Sequence, residues 1–302
     1  MCPFHKWCFD QNGKPTRIPY LKNPKKISSN AKTVTTYCAK DWCGLLCVYF
    51  HAEFPSKPRF DLPSHVETDL KSSKWSPLSA WNVGLVQLLP TDWVDQAGDW
   101  AHFHTLHNDF VLPWTTITLP QWISRIISIS HELRTFVGEK ATSILGLRTD
   151  MVDPHYIYFT DHAAICFRGK RVNTTASQTL EMYAGPAIMV FHIPFGDYAF
   201  KAIVTTTPCP GGSVMRVRTY CNVHWTNIFM RFIAWLLVGV SASQLQQDIT
   251  ILENRIRLKK PCIVPFDGPY MRTNAWLRLF YSEKSERVGL DADHPFQEVM
   301  GW

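Results

Sequence analysis

The chain has 302 residues, 46% of them hydrophobic, which is enough for a substantial core and rules out disorder as its general state. Lys and Arg total 31 against 25 Asp and Glu, and the resulting formal charge of +6 is spread too thinly to argue for a nucleic-acid partner. The short basic runs Lys22 to Lys26 and Arg255 to Lys260 read as solvated faces, while 12 Trp, 10 Tyr and 18 Phe suit a deep core or a pocket for a large apolar ligand.

The first feature in chain order is Cys2-x-x-His5. A thiolate and an imidazole at this spacing can share one metal, but mononuclear zinc takes about four ligands and a Rieske [2Fe–2S] centre takes two Cys and two His. The pair is therefore half a site. With no signal-peptide pattern ahead of them, the nine cysteines are expected to be mostly reduced thiols. Residues 1–60 read as short strands and turns punctuated by Gly13, Pro15, Pro19 and Pro24. The strongest strand there runs from Trp42 to His51, with Cys43 and Cys47 as small hydrophobes. Phe54 to Ser79 carries Pro55, Pro58, Pro63 and Pro77 among Ser and Lys, which is linker composition. The expected organisation is a first domain over 1–60, a linker over 61–79 and a second domain over 80–302.

Ala80 to Leu89 has strand character, and Gly98 to Asn108 holds His102, His104 and His107 behind Asp99. Three histidines within six residues point to a metal site. Residues 104 and 107 would share a helical face, whereas 102 and 107 are offset by roughly 140° on a regular helix. A site using 102 and 107 requires the helix to end, bulge or bend between them. Pro113 and Pro120 close the segment. Between Tyr156 and Tyr220, β-rich stretches alternate with turn signals such as Phe167-Arg-Gly-Lys170 and Thr207-Pro-Cys-Pro-Gly-Gly212, which predicts a meandering antiparallel sheet. Asn227 to Asn254 lacks Pro and predicts the longest helix. Its apolar stretch, Ile228 to Ala242, is about 15 residues and contains Arg231, short of the roughly 20 that a spanning helix needs, so a buried helix and no transmembrane segment are expected. Strands followed by a long helix give an α+β second domain.

Asp248 lies where that helix turns from apolar to polar. Two His and one carboxylate with open positions form the facial triad of non-haem Fe(II) oxygenases. Spacing alone leaves Asp92, Asp95, Asp99, Asp109 and Asp248 all eligible as the carboxylate.

Taken as an ordered set over nearly the whole chain, these pieces resemble the Rieske non-haem iron oxygenases, most closely the cholesterol 7-desaturase branch. Cys2-Pro-Phe-His5-x-Trp7 looks like the second half of the Rieske motif, followed by Gly13 and Ile18-Pro-Tyr20. Asp41 to Glu53 resembles the strand closing the Rieske domain. Asp99-x-x-His102-x-x-x-x-His107 matches the family's bridging aspartate and two iron-binding histidines, which chooses His102 over His104. Gln247-Asp248-Ile249, Lys260-Pro261, Asp267-Gly-Pro269 and Phe280-Tyr-Ser-Glu283 look like its C-terminal signature, which nominates Asp248 as third ligand. Gln96 departs from the Asn common in the family.

The resemblance implies a partial β-rich Rieske domain followed by a helix-grip domain, an antiparallel sheet with a long C-terminal helix around mononuclear iron. Cys2 and His5 would be half of the [2Fe–2S] ligand set, and the Cys-x-His half is expected before Cys2, so the chain is expected to be a piece of a longer protein. The implied activity is conversion of cholesterol to 7-dehydrocholesterol with O₂, electrons passing from NAD(P)H through a reductase, the cluster and Asp99 to Fe(II). A homotrimer attached to the endoplasmic reticulum membrane is implied, and an aromatic wall is expected between Tyr156 and Tyr220. The competing readings are a Rieske-type steroid hydroxylase, a non-catalytic sterol-binding module and a zinc hydrolase built on the His cluster.

Overall fold

The alternating β-rich stretches of the sequence become a large antiparallel sheet in the computed structural model of the chain, which describes residues 1–24, 27, 31, 33–53, 57–137, 153–256, 262, 264 and 266–285. Of the residues singled out above, Lys25, Lys26, Phe54, Pro55 and 257–261 lie outside that set. The chain divides into two units, Met1–Arg59 and Phe60–Trp302.

The first unit is built from short pairings. β1 (Cys8–Phe9) pairs antiparallel with β2 (Pro15–Arg17), and β3 (Ala39–Trp42) with β4 (Leu45–Val48). The stretch from Trp42 to His51 is thus a tight hairpin and its exit, not one strand. The reason is local: Cys43 and Gly44 both take positive φ, 53° and 71°, as a two-residue turn of the hairpin-favouring hand demands. Cys43 is consequently a turn residue, while Cys47 lies half-buried in β4, where burial raises its thiol.

In the second unit, α1 (Ser64–Lys71) precedes β5 (Ser76–Val86). Both fall at least partly in the stretch expected to be linker. Its prolines do not prevent this, because Pro63 stands at the N-cap of α1 and Pro77 lies on β5, an edge strand, where a missing N–H is tolerated. α1 buries His65 and Val66, and its Asp69 pairs with Lys201, so the segment packs on the sheet. Three short helices follow: α2 (Pro90–Gly98), α3 (Ala101–Thr105) and α4 (Gln121–Ser124). The remaining strands are β6 (Ile127–Ser130), β7 (Leu133–Val137), β8 (Tyr156–Phe167), β9 (Lys170–Arg171), β10 (Ser177–Ala184), β11 (Ile188–Phe195), β12 (Tyr198–Cys209) and β13 (Gly212–Cys221). The sheet runs β5-β13-β12-β11-β10-β8-β6, with β7 and β9 also on β8, every pairing antiparallel. Two helices complete the unit, α5 (Ile228–Glu253) and α6 (Tyr270–Leu277). The expected α+β class holds.

One face of the sheet carries the core. Ile157, Phe159, Tyr183, Met189, Val204, Met215 and Val217 pack with Trp93 and Val94 of α2, Ile249 of α5 and Trp276 of α6. A second cluster joins Phe200 and Cys221 to Ala234 and Val238 in the N-terminal half of α5. Asn227 caps α5 by accepting from Met230 N at 3.1 Å, and Asn254 closes it, which matches the sequence expectation at both ends.

Two features of α5 differ from expectation. Its 26 residues make it, among the described residues, the helix long and apolar enough by length and composition to cross a membrane. It is also not buried all round: Ile228 and Phe229 are 78% and 70% exposed, and Phe232 is exposed as well. A run whose one charged residue is Arg231 lacks the periodicity that would have distinguished an inner from an outer face.

Midway along α5, Gly239 lets the 110–115 loop approach. A Cβ there would stand 2.5 Å from the Trp114 ring, and Trp114 N donates to Gly239 O at 3.0 Å. Trp114 cannot easily move, since it is wedged against Trp81 and Trp235 at centroid distances of 5.2 and 5.3 Å. Gly239→Ala gains about 1 kcal/mol of helix propensity, but overpacking costs about 1–3 kcal/mol. The expected net result is destabilisation, read as a lower denaturation midpoint at unchanged m-value; a raised midpoint would contradict the packing.

Candidate metal centre

The residues between α2 and the end of α3 are positioned by close backbone approaches. Gly98, last in α2, has Thr273 Oγ1 2.5 Å from where a Cβ would be, and Gly268, at φ +113°, sits against Gly98 O and Trp100. Trp100 N donates to Asp267 O at 2.6 Å. The Asp267-Gly-Pro269 segment thereby holds the start of α3. Asp99 Oδ1 accepts from Ala101 N at 3.0 Å and His102 N at 3.3 Å, satisfying the first donors of that short helix.

α3 stops at Thr105, whose hydroxyl contacts Ala101 O and His102 O and competes with the helical ladder. The helix thus ends between His102 and His107, as use of both requires. His102, His107 and Asp248 each present a ligand atom, and all three atoms lie within 4.8 Å of one another. His107 and Asp248 are buried, and the two imidazole centroids are 5.2 Å apart. His104 is exposed and takes no part.

The donor set fits a metal ion. His102 Nδ1 faces Asp99 O at 2.5 Å, which holds the proton on Nδ1 and leaves Nε2 as the lone-pair nitrogen. Burial lowers the pKa of His102, with the nearby Asp248 opposing and His107 reinforcing the shift, so the ring favours its neutral, ligating form. His102 Nε2 and Asp248 Oδ1 are buried without a hydrogen-bond partner. Asp248 Oδ1 stands 3.0 Å from His107 Nε2 without the alignment of a hydrogen bond, the arrangement of two ligands aimed at a common point. Two imidazoles and one carboxylate suit a divalent first-row metal.

Asp109 is not in the group that converges among the described residues, and the other three eligible carboxylates are engaged elsewhere. Asp92 and Asp95 both pair with Arg255, and Asp99 is engaged with the backbone. Two residues that sequence reasoning missed support the centre from behind. His131 Nδ1 lies 2.7 Å from Asp161 Oδ2, and its Nε2 lies 3.3 Å from His107 O. The available signal was Asp161 itself, a carboxylate on β8 two residues beyond Phe159 and so on the same face as that core residue. Within the stretch where an aromatic wall is expected, Phe159, Tyr183, Phe191 and Phe200 lie on the core face and pack in the two hydrophobic clusters, with Trp81 from outside that stretch.

In the first unit, Cys2 and His5 occupy a loop closed by Cys2 N to Trp7 O at 2.7 Å and Lys6 N to Cys2 O at 2.9 Å. The backbone N–H groups of Phe4 and His5 hold the Cys2 thiol below its ordinary value, favouring thiolate.

Residues 48–281 match the family model described as the 3-ketosteroid 9alpha-hydroxylase C-terminal domain. The chain belongs to that family, within the Rieske oxygenases. Among similar curated proteins are a cholesterol 7-desaturase of Caenorhabditis elegans, 24% identical over all of this chain and 67% of the relative. Another is the oxygenase component of a 3-ketosteroid-9-alpha-monooxygenase of Mycobacterium tuberculosis, 23% identical over 94% of this chain and 67% of that one. The solved structure of NdmA from Pseudomonas putida CBB5 with caffeine shares the fold at a TM-score of 0.56 and 12% identity, covering 99% of this chain and 75% of that one. The chain spans 57% to 67% of the length of the curated relatives it matches.

Anaerobic titration with Fe²⁺ tests the assignment: His107→Ala and Asp248→Ala should lose the binding attributed to this centre, while His104→Ala retains it. Equal loss in the His104 variant would show that the ligand set is wrongly chosen.

Proposed function

We propose that the chain acts in a sterol desaturase that removes two hydrogens, at C7 and C8 of cholesterol, to give 7-dehydrocholesterol. The observation that carries this reading is the His102–His107–Asp248 centre set beside a sheet face lined with aromatic and aliphatic side chains. Family membership and the similar steroid-acting proteins support the steroid class. The overall balance is cholesterol, O₂, NAD(P)H and a proton giving the diene, two waters and NAD(P)⁺, with a reductase as electron source.

His102, His107 and Asp248 would hold Fe(II), which supplies O₂ activation when bound. The chain's own residues prepare that site. Asp99 O fixes the His102 tautomer, His131 and Asp161 brace His107 through its carbonyl, and the apolar face excludes water from the reacting region. Asp99, only partly buried, would carry electrons toward the centre from a [2Fe–2S] cluster, which in a homotrimer belongs to the neighbouring subunit. Cys2 and His5 would provide half of such a cluster's ligands. The low solubility of a sterol supports placement at the endoplasmic reticulum membrane.

Hydroxylation is the second reading, favoured by the description of the matching family. Mass spectrometry of products formed from cholesterol with a reductase, NADPH and O₂ separates the two: loss of two hydrogens supports desaturation, and gain of one oxygen supports hydroxylation. Asp99→Asn should keep iron content and lose turnover. Normal turnover in that variant would remove Asp99 from the electron path.

A further inference from the structure

The reverse face of the sheet carries a cavity that the core does not fill. Side chains alternate along a strand, so Tyr158 of β8, Leu180 and Met182 of β10 and Val190 of β11 point away from the side that packs Phe159, Tyr183 and Met189. Together with Val66 of α1 they line a cavity of about 190 Å³ between that helix and the sheet. A cavity of about 150 Å³ holds benzene, so this one has room for a single six-membered ring with a small substituent.

The polar lining is concentrated in two neighbouring side chains. His192 of β11 and Lys201 of β12 are direct cross-strand partners, and both lie against Trp75. The Lys201 ammonium is 4.8 Å from the indole ring and the His192 imidazole 5.9 Å. Lys201 is 7% exposed and donates to Asp69, an exposed residue of α1 at the rim. That bond tethers α1 and uses one of the three N–H donors of the ammonium. His192 Nδ1 is buried, and no described group hydrogen-bonds it. Burial lowers the pKa of His192, with Lys201 reinforcing the shift and Asp69 opposing it, so the ring is neutral at pH 7.

An ammonium with spare donors beside a neutral, unpaired imidazole nitrogen selects among ligands. A hydroxyl oxygen accepts from the first and donates to the second. A carboxylate has no proton to give His192 and would bring a second negative charge beside Asp69. A hydrocarbon leaves both groups as they are, at a cost of about 1–3 kcal/mol for a buried polar group without a partner. We propose that this cavity binds a small uncharged hydroxyl compound with a compact apolar body, the size of a phenol, its oxygen bridging Lys201 Nζ and His192 Nδ1 and its ring lying against Val66, Leu180, Met182 and Val190. The site is on the opposite face of the sheet from α5 and the metal centre, and it is independent of the steroid reading.

The test is calorimetric titration of the chain with phenol, toluene and benzoate, for wild type, His192→Leu and Val66→Phe, the last filling the cavity from α1. Wild type should bind one phenol, about tenfold or more tighter than toluene, and tighter than benzoate. His192→Leu should lose the preference for phenol and keep toluene binding. Val66→Phe should lose both. Unchanged stoichiometry of Fe²⁺ at the triad shows that each variant is folded. Equal affinity of wild type for phenol and toluene overturns the polar bridge, and tighter binding of benzoate overturns the uncharged class. Phenol binding that survives both substitutions, or none in wild type, overturns the site.

Discussion

The second unit depends on the convergence of three polar side chains, His107 and Asp248 buried and His102 half-buried, that cannot satisfy one another. His102 Nε2 and Asp248 Oδ1 lack hydrogen bonds, and His107 meets Asp248 at 3.0 Å without hydrogen-bond alignment. Leaving such groups unpaired costs about 1–3 kcal/mol each. A divalent cation converts that cost into coordination energy, and much of the surrounding structure serves to keep the three groups in place. Gly98 and Gly268 bring α2 against α6, the Asp267 carbonyl catches the start of α3, and the sheet carries α5 so that Asp248 comes up to meet the two histidines.

Much of this frame was legible in the sequence. The meander between Tyr156 and Tyr220 and the helix bounded by Asn227 and Asn254 follow from period and capping chemistry, both of which are local. What was hidden depended on tertiary contact. Proline-rich composition masked α1, which is held by burial of His65 and Val66 and by the Asp69–Lys201 pair. The hairpin at Cys43 and Gly44 was masked because the apolar run continues through its turn. The exposed side of α5 could not be seen in a segment whose apolar residues are interrupted by little besides Arg231.

The centre was legible in part. Helical geometry demanded a break between His102 and His107, and α3 ends there. The carboxylate could not be chosen by spacing, because Asp248 lies far along the chain; it was nominated by family likeness. The structure separates it from Asp92 and Asp95, which Arg255 occupies. His131 gave little signal because it lies between β6 and β7, where no periodicity marks its direction, and Asp161 because its role follows from which side of β8 it faces, which one position of register would reverse.

The most direct measurement is anomalous X-ray diffraction at the iron edge from crystals of the iron-loaded chain. The account predicts a peak within bonding distance of His102 Nε2, a His107 ring nitrogen and an Asp248 carboxylate oxygen. An ordered triad with no iron between its members, or mononuclear iron held by Asp92 and Asp95 instead, would contradict it.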